Sequence, residues 1–267
     1  MREQGVLMSI NMTFESKEID FDCLEHGKRK VEVFCVRNIW STGFCKDCVE
    51  IKRQEAVKLE QERVEKEKER ERLAKIESLL LRAGIPPRFK YHSFQTFFAK
   101  TQDQELKKKL CLDYANNFLE NFKLGKSMIL CGTTGTGKTH LACSIANQVI
   151  QNRNSAIFIN VFKAIDDVKE TWSNKHSHKT EREVINNFIK TDLLILDEIG
   201  VQFGSDSEKM ILFKILNERY SNMKPTILIS NLNVEALQEF VGERVIDRMK
   251  ENGGMIVKFD WKSHRGN

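Results

Sequence analysis

The eight residues Gly132-Thr133-Thr134-Gly135-Thr136-Gly137-Lys138-Thr139 meet the spacing G-x-x-x-x-G-K-[ST] at every fixed position. These residue types suit a polyphosphate. Glycines let the backbone curl until its N–H groups converge, the lysine reaches the outer phosphates, and the threonine hydroxyl ligates Mg²⁺. Farther along, Asp197 and Glu198 close the apolar run 193–196. Asp197 is placed to hold the same Mg²⁺ together with Thr139, and Glu198 to orient and deprotonate a water attacking the γ-phosphate. Asn231 closes another apolar run and is placed to contact the γ-phosphate or that water; its plain alternative is a turn or helix-cap residue. Arg244 and Arg248 stand at i and i+4. Guanidinium groups stabilise the spread charge of a phosphoryl-transfer transition state. On an exposed helix they would serve a neighbour's loop more readily than their own. Otherwise they are solvated or pair with Glu243 and Asp247.

A separate chemistry is written near the N-terminus, where Cys23 and His26 form one pair at x₂ spacing and Cys45 and Cys48 a second. Two short-spaced pairs separated by a hairpin's length of chain make a zinc arrangement. Four protein ligands leave no open coordination position, so the metal would be structural. It would supply the folding free energy that so small a module lacks. Cys35 is a surplus candidate for the place given to His26, but it falls mid-strand in an alternating stretch, 31–35. Trp40 is expected to cap a small core. His176 and His178 have no third ligand nearby in sequence and are expected to be solvent-exposed.

The elements that must position these groups follow from the hydrophobic pattern. Residues 127–131 read as a buried strand entering the phosphate loop, and 140–150 as the helix leaving it. Further strands are expected at 156–161, 192–198, 226–231 and 255–259, and helices at 103–122, 166–172, 208–220 and 242–250. Alternating apolar strands and amphipathic helices predict an α/β fold with a parallel sheet. From residue 50 to 72 the composition shifts to Glu, Lys, Arg and Gln without glycine or proline, with opposite charges at helical spacing, as in Glu62 and Lys66. A solvated helix over 49–82 would run roughly 50 Å at about 1.5 Å per residue. It is expected to stop at Gly84 before Pro86 and Pro87. The division is then a loose tail at 1–20, a zinc module at 21–48, a charged helical linker at 49–84 and a nucleotide-binding domain at 85–267. The chain has 267 residues, 40% hydrophobic and 30% charged, with a net charge of +5. That charge is too mild to argue for nucleic acid by itself. The lysines at 163, 169, 175 and 179 lie in a polar insertion and are expected to be solvated. No apolar run reaches membrane-span length and no signal-peptide core is visible, so a cytoplasmic location with no membrane contact is expected.

Five stretches carry a family resemblance: Gly84-Ile85-Pro86-Pro87-Arg88-Phe89, the phosphate loop, Leu196-Asp197-Glu198-Ile199-Gly200-Val201-Gln202, Gly242-Glu243-Arg244-Val245-Ile246-Asp247-Arg248-Met249, and Phe259-Asp260-Trp261-Lys262-Ser263-His264-Arg265. From Gly84 to the C-terminus the chain resembles the DnaC family of bacterial and prophage helicase loaders, a branch of the AAA+ ATPases. The resemblance implies an AAA+ P-loop core that hydrolyses ATP. It implies that Arg248 is the arginine finger (Arg244 the runner-up), Asn231 the first sensor and Arg265 the second. It also implies self-association through the AAA+ domain, single-stranded DNA binding, and an N-terminal region that grips a DnaB-type hexameric replicative helicase. The zinc module departs from loaders with a metal-free helical N-terminus and is similar to the zinc-bearing N-termini of some prophage and Gram-positive loaders. IstB-type transposition helper ATPases share the core motifs and form the alternative. A non-catalytic zinc adaptor is the reading from another class, and the intact Lys138, Thr139, Asp197 and Glu198 argue against it.

Overall fold

A computed structural model describes residues 15–37, 39–173, 179–200 and 205–263. The chain divides into two compact units, Met1–Glu71 and Arg72–Asn267, and the division falls inside one long helix.

In the first unit, β1 (Glu15–Cys23) and β2 (Gly27–Val36) form an antiparallel hairpin in which Cys23 faces Gly27, and the short β3 (Ile39–Trp40) pairs with the end of β2. Residues 15–20 therefore belong to a strand and not to a loose tail. Ile19, Phe21 and Cys23 alternate with polar residues, as a half-buried strand requires, and Ile19, Phe21 and Val31 all crowd against Gly43. Val31 and Val33 are buried. Trp40 is not a core cap; it stays exposed, with the Lys17 ammonium 4.1 Å above its ring. Helix α1 (Lys46–Arg82) starts three residues earlier than the charge pattern indicated, so Cys48 sits in its first turn.

The second unit begins where α1 gains an apolar side, with Ile76 buried and Leu79 and Leu80 packed against the core. Its other helices are α2 (Gln102–Asn116), α3 (Phe118–Leu124), α4 (Lys138–Gln151), α5 (Val161–Ser173), α6 (Glu181–Lys190), α7 (Asp206–Ser221), α8 (Val234–Val241) and α9 (Glu243–Lys250). Its strands are β4 (Met128–Gly132), β5 (Ala156–Asn160), β6 (Leu193–Ile199), β7 (Thr226–Ser230) and β8 (Met255–Phe259). They form one parallel sheet in the order β5-β6-β7-β4-β8. Both faces are covered, which explains why the strands read as unbroken apolar runs. Met128, Leu130, Leu193 and Ile195 join one core with α2 and α4. Ile129, Cys131, Leu194 and Leu196 join the other with α5, α6 and α7.

The single helix expected at 103–122 is broken at Asn117, whose side chain bonds the Asp113 carbonyl and competes with the helical ladder. Helix α6 was not anticipated, although Thr180 and Glu183 form the reciprocal N-terminal capping pair that announces it. The edge strand β5 is met from outside by the chain leaving α1, where the Phe158 N–H donates to the Ala83 carbonyl at 2.7 Å. His176, His178 and Lys175 lie outside the described residues, as does Arg265. Among the described residues no helix is long and apolar enough to cross a membrane.

Candidate functional site

Parallel strands deliver their C-terminal ends to one side of the sheet, and the crossover that separates β4 from β5 opens a crevice there. The phosphate loop leaves β4, the acidic pair ends β6, and β7 lies between them, ending just before Asn231. The resulting cleft, of about 270 Å³, is lined by Thr134 to His140, Asp197, Glu198 and Asn231, with Arg88, Phe89 and His92 from the entry segment. The loop's curvature depends on glycine at two places. Gly132 has φ +125° and a Cβ there would sit 2.4 Å from the Phe259 carbonyl oxygen; Gly137 has φ +95° and its Cβ would meet the Phe97 ring at 2.5 Å. The Thr133 hydroxyl ties the loop's first turn to the chain after β8, donating to the Trp261 carbonyl at 2.8 Å.

Lys138 is buried, and its ammonium donates to the Gly132 and Thr133 carbonyls at 2.8 and 2.6 Å. The Thr139 hydroxyl donates to Asp197 Oδ2 at 3.1 Å. Burial pushes the Asp197 carboxyl above its ordinary range, against the Glu198 N–H and the Thr139 hydroxyl, which hold it down. A carboxylate so enclosed, facing a threonine hydroxyl beside a phosphate loop, is a donor set that fits Mg²⁺. Glu198 adopts φ +63°, a left-handed backbone that is uncommon outside glycine, and its carboxylate accepts from the Asn160 side-chain amide. Asn160 was not singled out in the sequence. Its signal is register, because it ends β5 directly opposite Asp197.

His140, in the first turn of α4, was also missed. Its ring lies 4.0 Å from that of His92, and its Nε2 reaches the Ser93 carbonyl and the Thr96 hydroxyl, both at 3.1 Å. Burial lowers the pKa of both histidines. Arg244 and Arg248 do not line this cleft; they line a separate groove with Tyr220, Glu243, Asp247 and Glu251. Lys163 pairs with Asp167 while staying largely exposed, as expected, and the half-buried Lys169 pairs with Glu208.

In the first unit, Cys23, His26, Cys45 and Cys48 bring four ligand atoms within 4.8 Å of one another. Adjacent donors lie 3.2 to 3.7 Å apart. A tetrahedral zinc with thiolate and imidazole ligands needs edges of about 3.3–3.8 Å, so the donor set fits that ion. The His26 ring draws the Cys23 thiol down to about 6, while the neighbouring Cys23 sulfur pushes Cys48 up to about 12. Cys35 is not in the cluster; it pairs along β2 with Glu15 and Trp40.

A doubly covered parallel sheet with a phosphate loop, an acidic strand end and a polar residue just past the strand between them defines a P-loop ATP-binding protein. Its sequence is more specific. Residues 52–251 match the family model described as IstB-like ATP binding protein, and the chain belongs to that family. It is 35% identical over 194 residues to the protein named replicative helicase loader DnaC of Escherichia coli strain K12, covering 73% of this chain and 77% of the relative. It is also 35% identical over 191 residues to the protein of the same name from Buchnera aphidicola, covering 72% and 76%. A crystal structure of the DnaC helicase loader superposes with a TM-score of 0.58 at 21% identity, over 66% of this chain and all of that one.

Proposed function

We propose that this chain is an ATP-driven loader that binds a DnaB-type hexameric replicative helicase and delivers it onto single-stranded DNA, hydrolysis releasing the loader. The reading rests on the 35% identity to proteins named replicative helicase loader, which extends over most of both chains. In this reading Lys138 leaves its two carbonyl partners to reach the β- and γ-phosphates, and the N–H groups of residues 132 to 139 cradle them. Thr139 and Asp197 hold Mg²⁺, which would neutralise phosphate charge. Glu198 orients and deprotonates the attacking water, Asn231 contacts the γ-phosphate or that water, and Asn160 restrains the Glu198 carboxylate until both substrates are in place. Arg248 reaches the site of a neighbouring copy, and Arg265 contributes the second sensor contact.

Cys23, His26, Cys45 and Cys48 form a structural zinc scaffold. The zinc module and the charged helix act as the arm that holds the helicase, the domain from residue 85 as the self-associating motor, and the protein works in the cytoplasm. The family model's own description favours one alternative, an IstB-type transposition helper ATPase. Co-purification separates the two. The tagged full-length chain with ATP is expected to retain the host replicative helicase and to close it around single-stranded DNA. Retention of a transposase and no helicase would replace the loader reading with the alternative.

A further inference from the structure

Arg248 is held in an unusual way for a half-exposed arginine. Among the described residues its guanidinium makes no ion pair. One Nη1–H donates to the side-chain oxygen of Asn217, and the guanidinium carbon lies 4.7 Å from the centre of the Tyr220 ring. Asn217 and Tyr220 are three residues apart on α7 and so share a face, the one turned toward α9. The Tyr220 hydroxyl is itself fixed, donating to Glu251 Oε2 at 2.6 Å. Three carboxylates, Glu243, Asp247 and Glu251, line the same groove, yet the holders of Arg248 are a neutral amide and a ring. A neutral acceptor and a π face orient a guanidinium without cancelling its charge. Among the described residues Arg244, one turn earlier, is exposed and has no such mount.

We propose that Asn217 and Tyr220 are positioning residues that pre-set Arg248, keeping its charge whole for the phosphates held by a second copy of this chain. The inference rests on the reading that Arg248 acts between copies. The N–H groups of the fork other than the one given to Asn217 would then serve the partner's nucleotide, and the α7–α9 groove becomes the receiving surface. Pre-orientation lowers the barrier to turnover without adding to ATP binding by the variant's own loop.

The test uses full-length protein, steady-state ATP turnover and subunit mixing. Asn217→Ala and Tyr220→Leu are each expected to lower kcat about tenfold, with the KM for ATP unchanged within about twofold. Tyr220→Phe keeps the ring and is expected to stay within about twofold of the parent. Each impaired variant is then mixed with Lys138→Ala, which lacks a working loop but carries a correctly mounted Arg248. Turnover is expected to recover in the mixture, as it should for Arg248→Ala mixed in the same way. If Arg248→Ala is impaired and rescued while Asn217→Ala and Tyr220→Leu keep full kcat, the positioning role is refuted and the reading of Arg248 stands. If the two variants lose turnover and mixing fails to restore it, their defect is a fold defect and the inference falls. An Arg248→Ala protein with undiminished kcat would overturn the reading and the inference together.

Discussion

Arg219 is expected to behave as the stability keystone of the nucleotide-binding unit. It is a fully buried arginine on α7 that faces no carboxylate at hydrogen-bond distance among the described residues. Its guanidinium instead donates to the carbonyls of Phe188, Ile189, Thr191, Asp192 and Pro225 and to the Thr226 hydroxyl, at 2.5 to 3.4 Å. These oxygens belong to the end of α6 and the starts of β6 and β7. Burial draws the group down to about 9, so it remains charged at neutral pH. In Arg219→Lys an ammonium has three donors for six acceptors, and since the Pro225 carbonyl also accepts from the Leu194 N–H, at least two oxygens are left without a donor in the interior. At about 1 kcal/mol each, the low end for an orphaned buried group, the cost is about 2 kcal/mol. For a unit of this length that corresponds to a fall in Tm of about 4–8 °C. Thermal unfolding monitored by near-UV circular dichroism reads the shift. ATP-analogue affinity at about 10 °C should stay within twofold, because the site itself is untouched. Arg219→Leu strips all six acceptors and should not accumulate as soluble protein. A Tm within about 2 °C of the parent for Arg219→Lys would show that water replaces the fork, and the reasoning would be wrong.

Glu198→Gln should bind ATP with unchanged affinity and turn over about 10²- to 10³-fold more slowly, whereas Asn160→Ala, by freeing the carboxylate, should raise basal turnover about fivefold; a lower rate in the alanine variant would mean that the amide aligns Glu198 instead of restraining it. Elemental analysis is expected to find one zinc per chain, and Cys45→Ser to lose it along with the strand signal of the first unit while ATP binding persists. His140 has a folded pKa below its unfolded value, so its contribution to stability is present above about pH 6.5 and is lost as pH falls through the folded pKa. Accordingly Tm should drop between pH 7 and 5 more for the parent than for His140→Gln; equal slopes would remove the histidine from the account. Specific activity should rise with protein concentration if Arg248 works between copies, and a flat profile over a hundredfold dilution would count against that.

What could be read from the sequence and what could not divides by the range of the contacts. The phosphate loop and the acidic pair are local patterns in which strand, turn and functional residue are neighbours in the chain, so spacing alone carries them. Cys23, His26, Cys45 and Cys48 were legible for the same reason, as two local pairs. Asn160 was not, because its meaning lies in the register of β5 on β6, which places it across from Asp197. Arg219 was hidden by its type: an arginine on an amphipathic helix reads as surface, and only the convergence of three chain ends makes a pocket of carbonyls for it. The short alternation Ile19-Asp20-Phe21-Asp22-Cys23 was passed over because it occupies too few residues to stand out from a polar background, yet pairing with β2 fixes it as strand. Asn217 and Tyr220 carry no motif at all and gain their place only when α9 lays Arg248 across them.

These long-range contacts share a consequence for how the site works. Lys138 is occupied by the carbonyls of its own loop, Glu198 by the amide of Asn160, and Arg248 by residues of α7 outside the cleft. Three groups that the proposed reaction requires are thus held in the single chain by partners other than substrate. The three restraints differ in what can undo them. Phosphates compete directly for Lys138, since a charged acceptor outbids two neutral carbonyls. Glu198 needs its strained backbone and its amide partner to yield, which movement of β5 or of the γ-phosphate region can do. On the proposed reading Arg248 needs no release, only a second copy to act on. Binding and hydrolysis would then be separable, because ATP alone could release Lys138 while assembly would bring Arg248, which does not line the cleft.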